Sequence, residues 1–238
     1  MISRLRTSVV LPADSAWDRV ELKLWVDDRD VVGSVFAEGP GKDPDQLLGP
    51  DSPLLPGAEP REVMLAEAVC SWGCCGAVFV RVRREGVEVV WDEWRNPDDP
   101  GLSLPAVRFA PAQYEAELAR ADGMRFWEWP GRTVARLVRT RLAAEPEVLG
   151  RWNCGVHGAT SLPDTRDQVE LLFTSPPWDV VDDHFERTGE FAEFTQFRLR
   201  SPATWEPAEI QAERIIAELR DSDPRPRAEV CGGYTARR

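Results

Sequence analysis

The clearest structural signal in this chain is the sequence VFVRVRREGVEVVWD at residues 78–92. Valine occupies every second position of its first half, which is the period of a β-strand with one buried face. Gly86 follows, and glycine readily adopts the positive φ that a tight turn requires. The second half alternates again, with Trp91 in phase with Val87. We therefore predict a β-hairpin that turns through residues 84–86 and buries Trp91.

Weaker patterns precede this hairpin. Alternating apolar residues predict a strand over 20–26, and the segment 31–36 is expected to pair with it across an acidic turn. Residues 39–60 are dense in Gly, Pro and Asp, which predicts a long loop containing a short turn of helix at 45–48. Residues 62–69 fit either a further strand or a short helix.

The rest of the chain mixes helices and strands. Its patterns predict a short strand at 107–109, helices at 111–123, 133–144 and 207–220, and strands at 169–173 and 194–199. His184 is expected in an exposed loop. This order favours the α+β class, with a mostly antiparallel β-sheet N-terminal part and a mixed helix and strand C-terminal part. A break at 127–131 predicts a β-rich subdomain over 1–123 and an α+β subdomain over 124–238, unless the two form one continuous domain.

Composition limits the classes of partner. The 238 residues carry a formal net charge of −12, which disfavours binding to nucleic-acid phosphates. No apolar run is long enough for a membrane span, and no secretory signal follows Met1, so a membrane partner is not expected. The five cysteines form an odd, crowded set that suits a disulfide framework poorly. We therefore expect a soluble cytoplasmic protein.

The cysteines also suggest a metal site. Three of them crowd into the turn before the hairpin, and a fourth forms a C-x₂-H pair later in the chain. Thiolate and imidazole are ligands that zinc prefers, so the candidate ligands are Cys70, Cys74, Cys75, Cys154 and His157. The first cluster lacks a C-x₂-C pair, however, and small buried thiols in a Gly-rich turn are the favoured interpretation. No other cofactor is expected.

A family resemblance centres on the same turn. The run Cys70–Gly76 precedes the hairpin, and Phe109 and the helix sequence YEAEL at residues 114–118 follow it. This arrangement over roughly residues 60–120 resembles a pattern in uncharacterised actinobacterial proteins with a Cys/Gly-rich turn before a β-hairpin. The resemblance implies a lineage and no particular activity.

Three tryptophans and three arginines are candidates for binding a partner. Trp in irregular segments suggests an interaction surface, because Trp is enriched at binding hot spots; these are Trp94, Trp127 and Trp129. A patch for an anion or an acidic partner is suggested by arginines at helical spacing on one face, Arg132, Arg136 and Arg139. A solvated helix face is the alternative for these arginines, and it is the favoured one.

No catalytic motif stands out. The sequence lacks G-x-S-x-G, H-E-x-x-H, P-loop and G-x-G-x-x-G patterns, and it contains only two histidines. We therefore predict a non-enzymatic protein-interaction module, immunity-like, antitoxin-like or regulatory, whose acidic surface complements a basic partner protein. Two alternatives stay open: a zinc-stabilised domain or metal-dependent hydrolase built on the Cys/His cluster, and a small-molecule sensor with a Trp-lined pocket.

Overall fold

The computed structural model describes residues 1–11, 19–37, 39–49, 51–69 and 75–235. The chain folds into two compact units, a first unit, Met1–Trp127, and a second unit, Glu128–Arg238. The α+β class predicted from the sequence is confirmed, because the described elements form three antiparallel sheets accompanied by α-helices. Among these residues, no helix combines the length and the apolar character that a membrane crossing needs.

The first unit contains two of the three sheets. Its three-stranded sheet has the order β1-β2-β3, formed by Leu5–Val10, Glu21–Val26 and Arg29–Asp30. Its four-stranded sheet is a meander, β4-β5-β6-β7, formed by Arg61–Glu67, Ala77–Glu85, Glu88–Arg95 and Val107–Phe109. The helices are α1, Pro44–Leu47, and α2, Pro111–Gly123. The strand alternative for residues 62–69 is thus the correct one.

The hairpin predicted from residues 78–92 is confirmed as β5 and β6. Glu85 pairs with Glu88, so the turn consists of Gly86, at φ +58°, and Val87. Val87 is therefore 84% exposed at the turn and does not share the buried face of Trp91. Trp91 is fully buried, as predicted.

The predicted strand over 31–36 is wrong. Only Arg29–Asp30 pairs with β2, and the long partner of β2 is β1. The chain folds back on itself after β3 because the Asp30 carboxylate accepts the Gly33 N–H at 2.9 Å and the Asp30 carbonyl accepts the Ser34 N–H at 3.1 Å. Such local bonds compete with a sheet ladder. Val31, Val32 and Phe36 are buried even so.

The second unit places helices and one sheet around its own core. Its sheet has the order β11-β10-β9-β8, with β8 at Gly155–Thr160, β9 at Gln168–Ser175, β10 at Phe194–Pro202 and β11 at Glu229–Tyr234. The helices are α3 at Pro130–Ala144, α4 at Glu147–Gly150, α5 at Trp178–Thr188 and α6 at Ala208–Asp221, with a short 3₁₀ turn at Arg225–Arg227. Helix α3 packs on α6, β8 and β9.

Candidate functional site

Helix α5 carries the most distinctive surface of the second unit. Trp178, Val181 and Phe185 lie at i, i+3 and i+7, so they form one apolar stripe along the helix. Only Val181 is fully buried, whereas Trp178 and Phe185 at the two ends of the stripe are 36% and 41% exposed. The apolar stripe of α5 is therefore longer than the protein surface that it covers.

Neighbouring aromatic rings extend this stripe. The Phe185 ring stacks on the Phe191 ring at 4.6 Å, and Phe191 meets Tyr234 of β11 edge-on at 6.2 Å. At the other end of α5, Trp178 packs edge-on against Phe194 of β10 at 5.2 Å. We call the exposed members of this set the α5 aromatic surface: Trp178, Phe185, Phe191 and Tyr234.

Carboxylates surround this surface. Residues 178–193 include a single basic side chain, Arg187, that is charged at neutral pH. The acidic residues of the same segment are Asp179, Asp182, Asp183, Glu186, Glu190 and Glu193. Five of them make no ion pair with any residue that the structure describes, Asp179, Asp182, Asp183, Glu186 and Glu190. Their field is thus available to attract a cationic partner.

Two local features position α5. Pro177 precedes the helix, and the fixed φ of proline suits a helix start. Gly189 ends it in the left-handed region, at φ +76°, and donates its N–H to the Phe185 carbonyl at 2.7 Å. The prediction that His184 lies in an exposed loop is wrong, because His184 belongs to this helix.

Trp94 is buried, which contradicts its predicted position on an interaction surface. Phe79 and Arg81 of β5 are separated by one residue, whereas their partners in β6 are separated by two, so β6 contains one extra residue. Glu93 lies in this stretch of β6 and has φ +46°. This β-bulge shifts the phase of the strand, so Trp94 joins Trp91 in the core, 8% exposed and edge-on to it at 6.0 Å. A strand without the bulge would place these two side chains on opposite faces.

The other two predicted tryptophans are also held within the fold. Trp127 is 1% exposed, which contradicts its predicted surface position. Trp129 is half-buried, and its indole N–H donates to Ser161 Oγ at 2.8 Å. The guanidinium groups of Arg132 and Arg166 lie 5.5 and 5.1 Å from the Trp129 ring, at cation–π distance.

The predicted arginine patch on α3 is not an open anion site. Arg132 is only 7% exposed. Arg136 makes a two-pronged ion pair with Glu128, at 2.7 and 3.0 Å, and Arg139 donates to the Ala159 carbonyl at 2.6 Å. These contacts hold α3 to its surroundings, so the three arginines do not form a fully exposed patch, and binding of a partner by them stays a prediction.

The predicted zinc ligands fall in different parts of the chain. Cys70 and Cys74 lie outside the described residues. Cys75 is half-buried in the first unit, whereas Cys154 and His157 belong to the second. Burial raises the pKa of the Cys154 thiol, which opposes the thiolate form that zinc requires. Within the described ranges, no three His, Cys, Asp or Glu side chains are grouped as metal ligands.

Comparison of the chain with family models, with curated proteins and with solved structures finds no match. The α5 aromatic surface is therefore interpreted from its own residues. Sequence reasoning missed this surface, although its signal was present: the i, i+3, i+7 spacing of Trp178, Val181 and Phe185 followed by Gly189 indicates an amphipathic helix with a glycine stop.

Proposed function

We propose that this protein is a non-enzymatic protein-interaction module that binds a basic segment of a partner protein on the α5 aromatic surface. The observation that carries the proposal is a cluster of half-exposed aromatic rings rimmed by carboxylates without ion-pair partners among the described residues. An immunity-like, antitoxin-like or regulatory role is a concrete version of this activity.

The two parts of the surface would contribute differently to binding. Aromatic side chains supply large apolar area at a low entropic cost, so Phe185 and Trp178 are the expected hot spots. Charges at the rim mainly accelerate association and favour a partner of opposite charge. Asp182, Asp183 and Glu186 should therefore act on the association rate and its salt dependence, and Phe185 on the dissociation rate.

The first step of the test identifies the partner by crosslinking. A photo-crosslinking amino acid replaces Phe185 in the full chain, and the same amino acid replaces Val87 as a control, since Val87 is highly exposed in the first unit. We expect position 185, and not position 87, to crosslink one basic protein in a lysate of the source cells. Mass spectrometry identifies that protein.

The second step measures affinity for the purified partner. Phe185→Ala should weaken binding by about 30-fold, the effect of losing a hot spot worth about 2 kcal/mol. The double variant Asp182→Asn, Asp183→Asn should slow association severalfold and flatten the dependence on salt between about 50 and about 300 mM.

A charge-matched control separates local from overall electrostatics. Asp51→Asn, Glu59→Gln removes two exposed charges from the first unit, so it changes the net charge equally. It should leave both rate constants nearly unchanged. A partner whose affinity is the same for the wild type, Phe185→Ala and the α5 charge variant would rule the proposal out.

A further inference from the structure

The first unit contains a cavity of about 640 Å³ next to Trp94. This volume lies in the range of sites for small organic ligands. Most of its wall is apolar, supplied by the end of β2, by the segment 104–107 before and into β7, and by the Trp94 side chain. The turn after β2 contributes Asp27 to the wall, and β3 contributes Arg29.

Two hydrogen-bond donors in this wall lack acceptors. The Trp94 indole N–H is buried and has no hydrogen-bond partner in the described structure. The Arg29 side chain is exposed and makes no hydrogen bond or ion pair with a described side chain. The Arg29 guanidinium is therefore free to pair with a ligand that carries a carboxylate.

The other polar side chains of the wall are already engaged. The Asp27 carboxylate accepts the Arg4 N–H at 2.9 Å, and hydrogen bonds from Arg4 and Ser3 lower the pKa of Asp27. Arg108 donates to Glu88 and Glu85 at 2.7 and 3.2 Å. Ser34 donates its hydroxyl to the Val31 carbonyl at 2.9 Å. The Arg29 guanidinium, the Met1 amino group and the Trp94 ring are thus the groups left to recognise a ligand.

We infer that this cavity binds a small organic acid with an apolar body, its carboxylate at Arg29 and its body against Trp94. The guanidinium fork matches a carboxylate and gives it a charge-assisted hydrogen bond, which a neutral amide cannot equal. The apolar wall and the flat indole favour an aromatic or aliphatic body. This inference concerns the first unit and is independent of the α5 aromatic surface.

The test uses phenylacetate and its uncharged analogue, phenylacetamide, as probes. Indole N–H signals of ¹⁵N-labelled full chain are followed by NMR, and Trp94→Phe assigns the Trp94 signal. We expect phenylacetate, added to about 10 mM, to move this signal with a Kd of about 1 mM or lower. The signal of Trp205, a 94% exposed residue of the second unit, serves as the internal reference and should not move.

A pair of arginine variants tests the role of the carboxylate. Arg29→Gln should weaken phenylacetate binding by about tenfold and leave phenylacetamide binding unchanged. Arg61→Gln, at an exposed position of β4 outside the cavity wall, should change neither. The inference fails if the Trp94 signal stays fixed, if both probes bind equally well, or if Arg29→Gln binds phenylacetate as the wild type does.

Discussion

At the scale of single residues, Tyr114 connects Leu54 and Trp91 within the hydrophobic core of the first unit. Its hydroxyl donates to the Leu54 carbonyl at 2.7 Å and accepts the Trp91 indole N–H at 3.0 Å, and all three groups are buried. Burial raises the pKa of Tyr114 far above the ordinary value of a tyrosine. The phenol therefore contributes to stability only while it is neutral.

Tyr114→Phe should destabilise the protein by about 2–4 kcal/mol, because two buried polar groups lose their partner. Urea unfolding followed by circular dichroism measures this change. The wild type should also lose stability as the pH rises above about 10, where the unfolded chain ionises Tyr114 and the folded chain does not. The variant should lack that part of the pH dependence.

The chain offers a matched control for this change, since its only other tyrosine is Tyr234. Tyr234→Phe keeps the ring at an exposed position and should alter stability by less than about 0.5 kcal/mol. Equal effects of the two variants would contradict the role assigned to the buried network.

At the scale of elements, two helices end with glycines of different conformation. Gly189 ends α5 at φ +76°, and no neighbouring atom would obstruct an added Cβ. Gly123 is the last residue of α2, has no positive φ and has equally open surroundings. The predicted end of this helix at residue 123 is confirmed. Gly123 nevertheless lacks the left-handed conformation that is typical of a glycine at a helix end.

Alanine should therefore act in opposite directions at these two sites. Gly189→Ala should cost about 1 kcal/mol, because a Cβ disfavours the left-handed region. Gly123→Ala should stabilise the protein by about 0.5–1 kcal/mol, because alanine is the better helix former. Urea unfolding of both variants checks the prediction. A stabilising Gly189→Ala would show that α5 does not end in the left-handed conformation in solution.

At the scale of the whole molecule, the residues that the structure describes form two hydrophobic cores. One joins residues of the first unit, from Leu5 to Ala121, and the other joins residues of the second unit, from Val134 to Leu219. A unit with its own core can fold alone. The predicted subdomains over 1–123 and 124–238 stay a prediction that fragment expression can test.

We expect the fragments Met1–Trp127 and Glu128–Arg238 each to unfold cooperatively in urea. The first fragment should retain the protected Trp91 indole N–H in hydrogen exchange, because its acceptor Tyr114 lies in the same fragment. The shorter fragment Met1–Leu65 serves as a control, since it lacks β5 and β6 and should not fold. Noncooperative unfolding of both unit fragments would contradict two independent cores.

Local sequence patterns predict those elements that are specified by the periodicity or the end residues of their own segment. The period-2 run of β5, the apolar stripe of α3 and the start of α2 at Pro111 each follow from neighbouring residues. The same patterns predict neither β1 nor β11. Pairing with a neighbouring strand, rather than composition, stabilises these two strands.

The sequence by itself determined the α+β class, the hairpin of β5 and β6 and the acidity of the molecule. Only the tertiary structure decided which aromatic side chains are buried. Trp94 turns inward because β6 carries an extra residue relative to β5, and Phe185 stays half-exposed because the surface beneath α5 covers only the middle of its stripe. Both outcomes depend on the neighbouring strand or surface against which the element packs. The periodic pattern of the element itself does not specify the register or the extent of that neighbour.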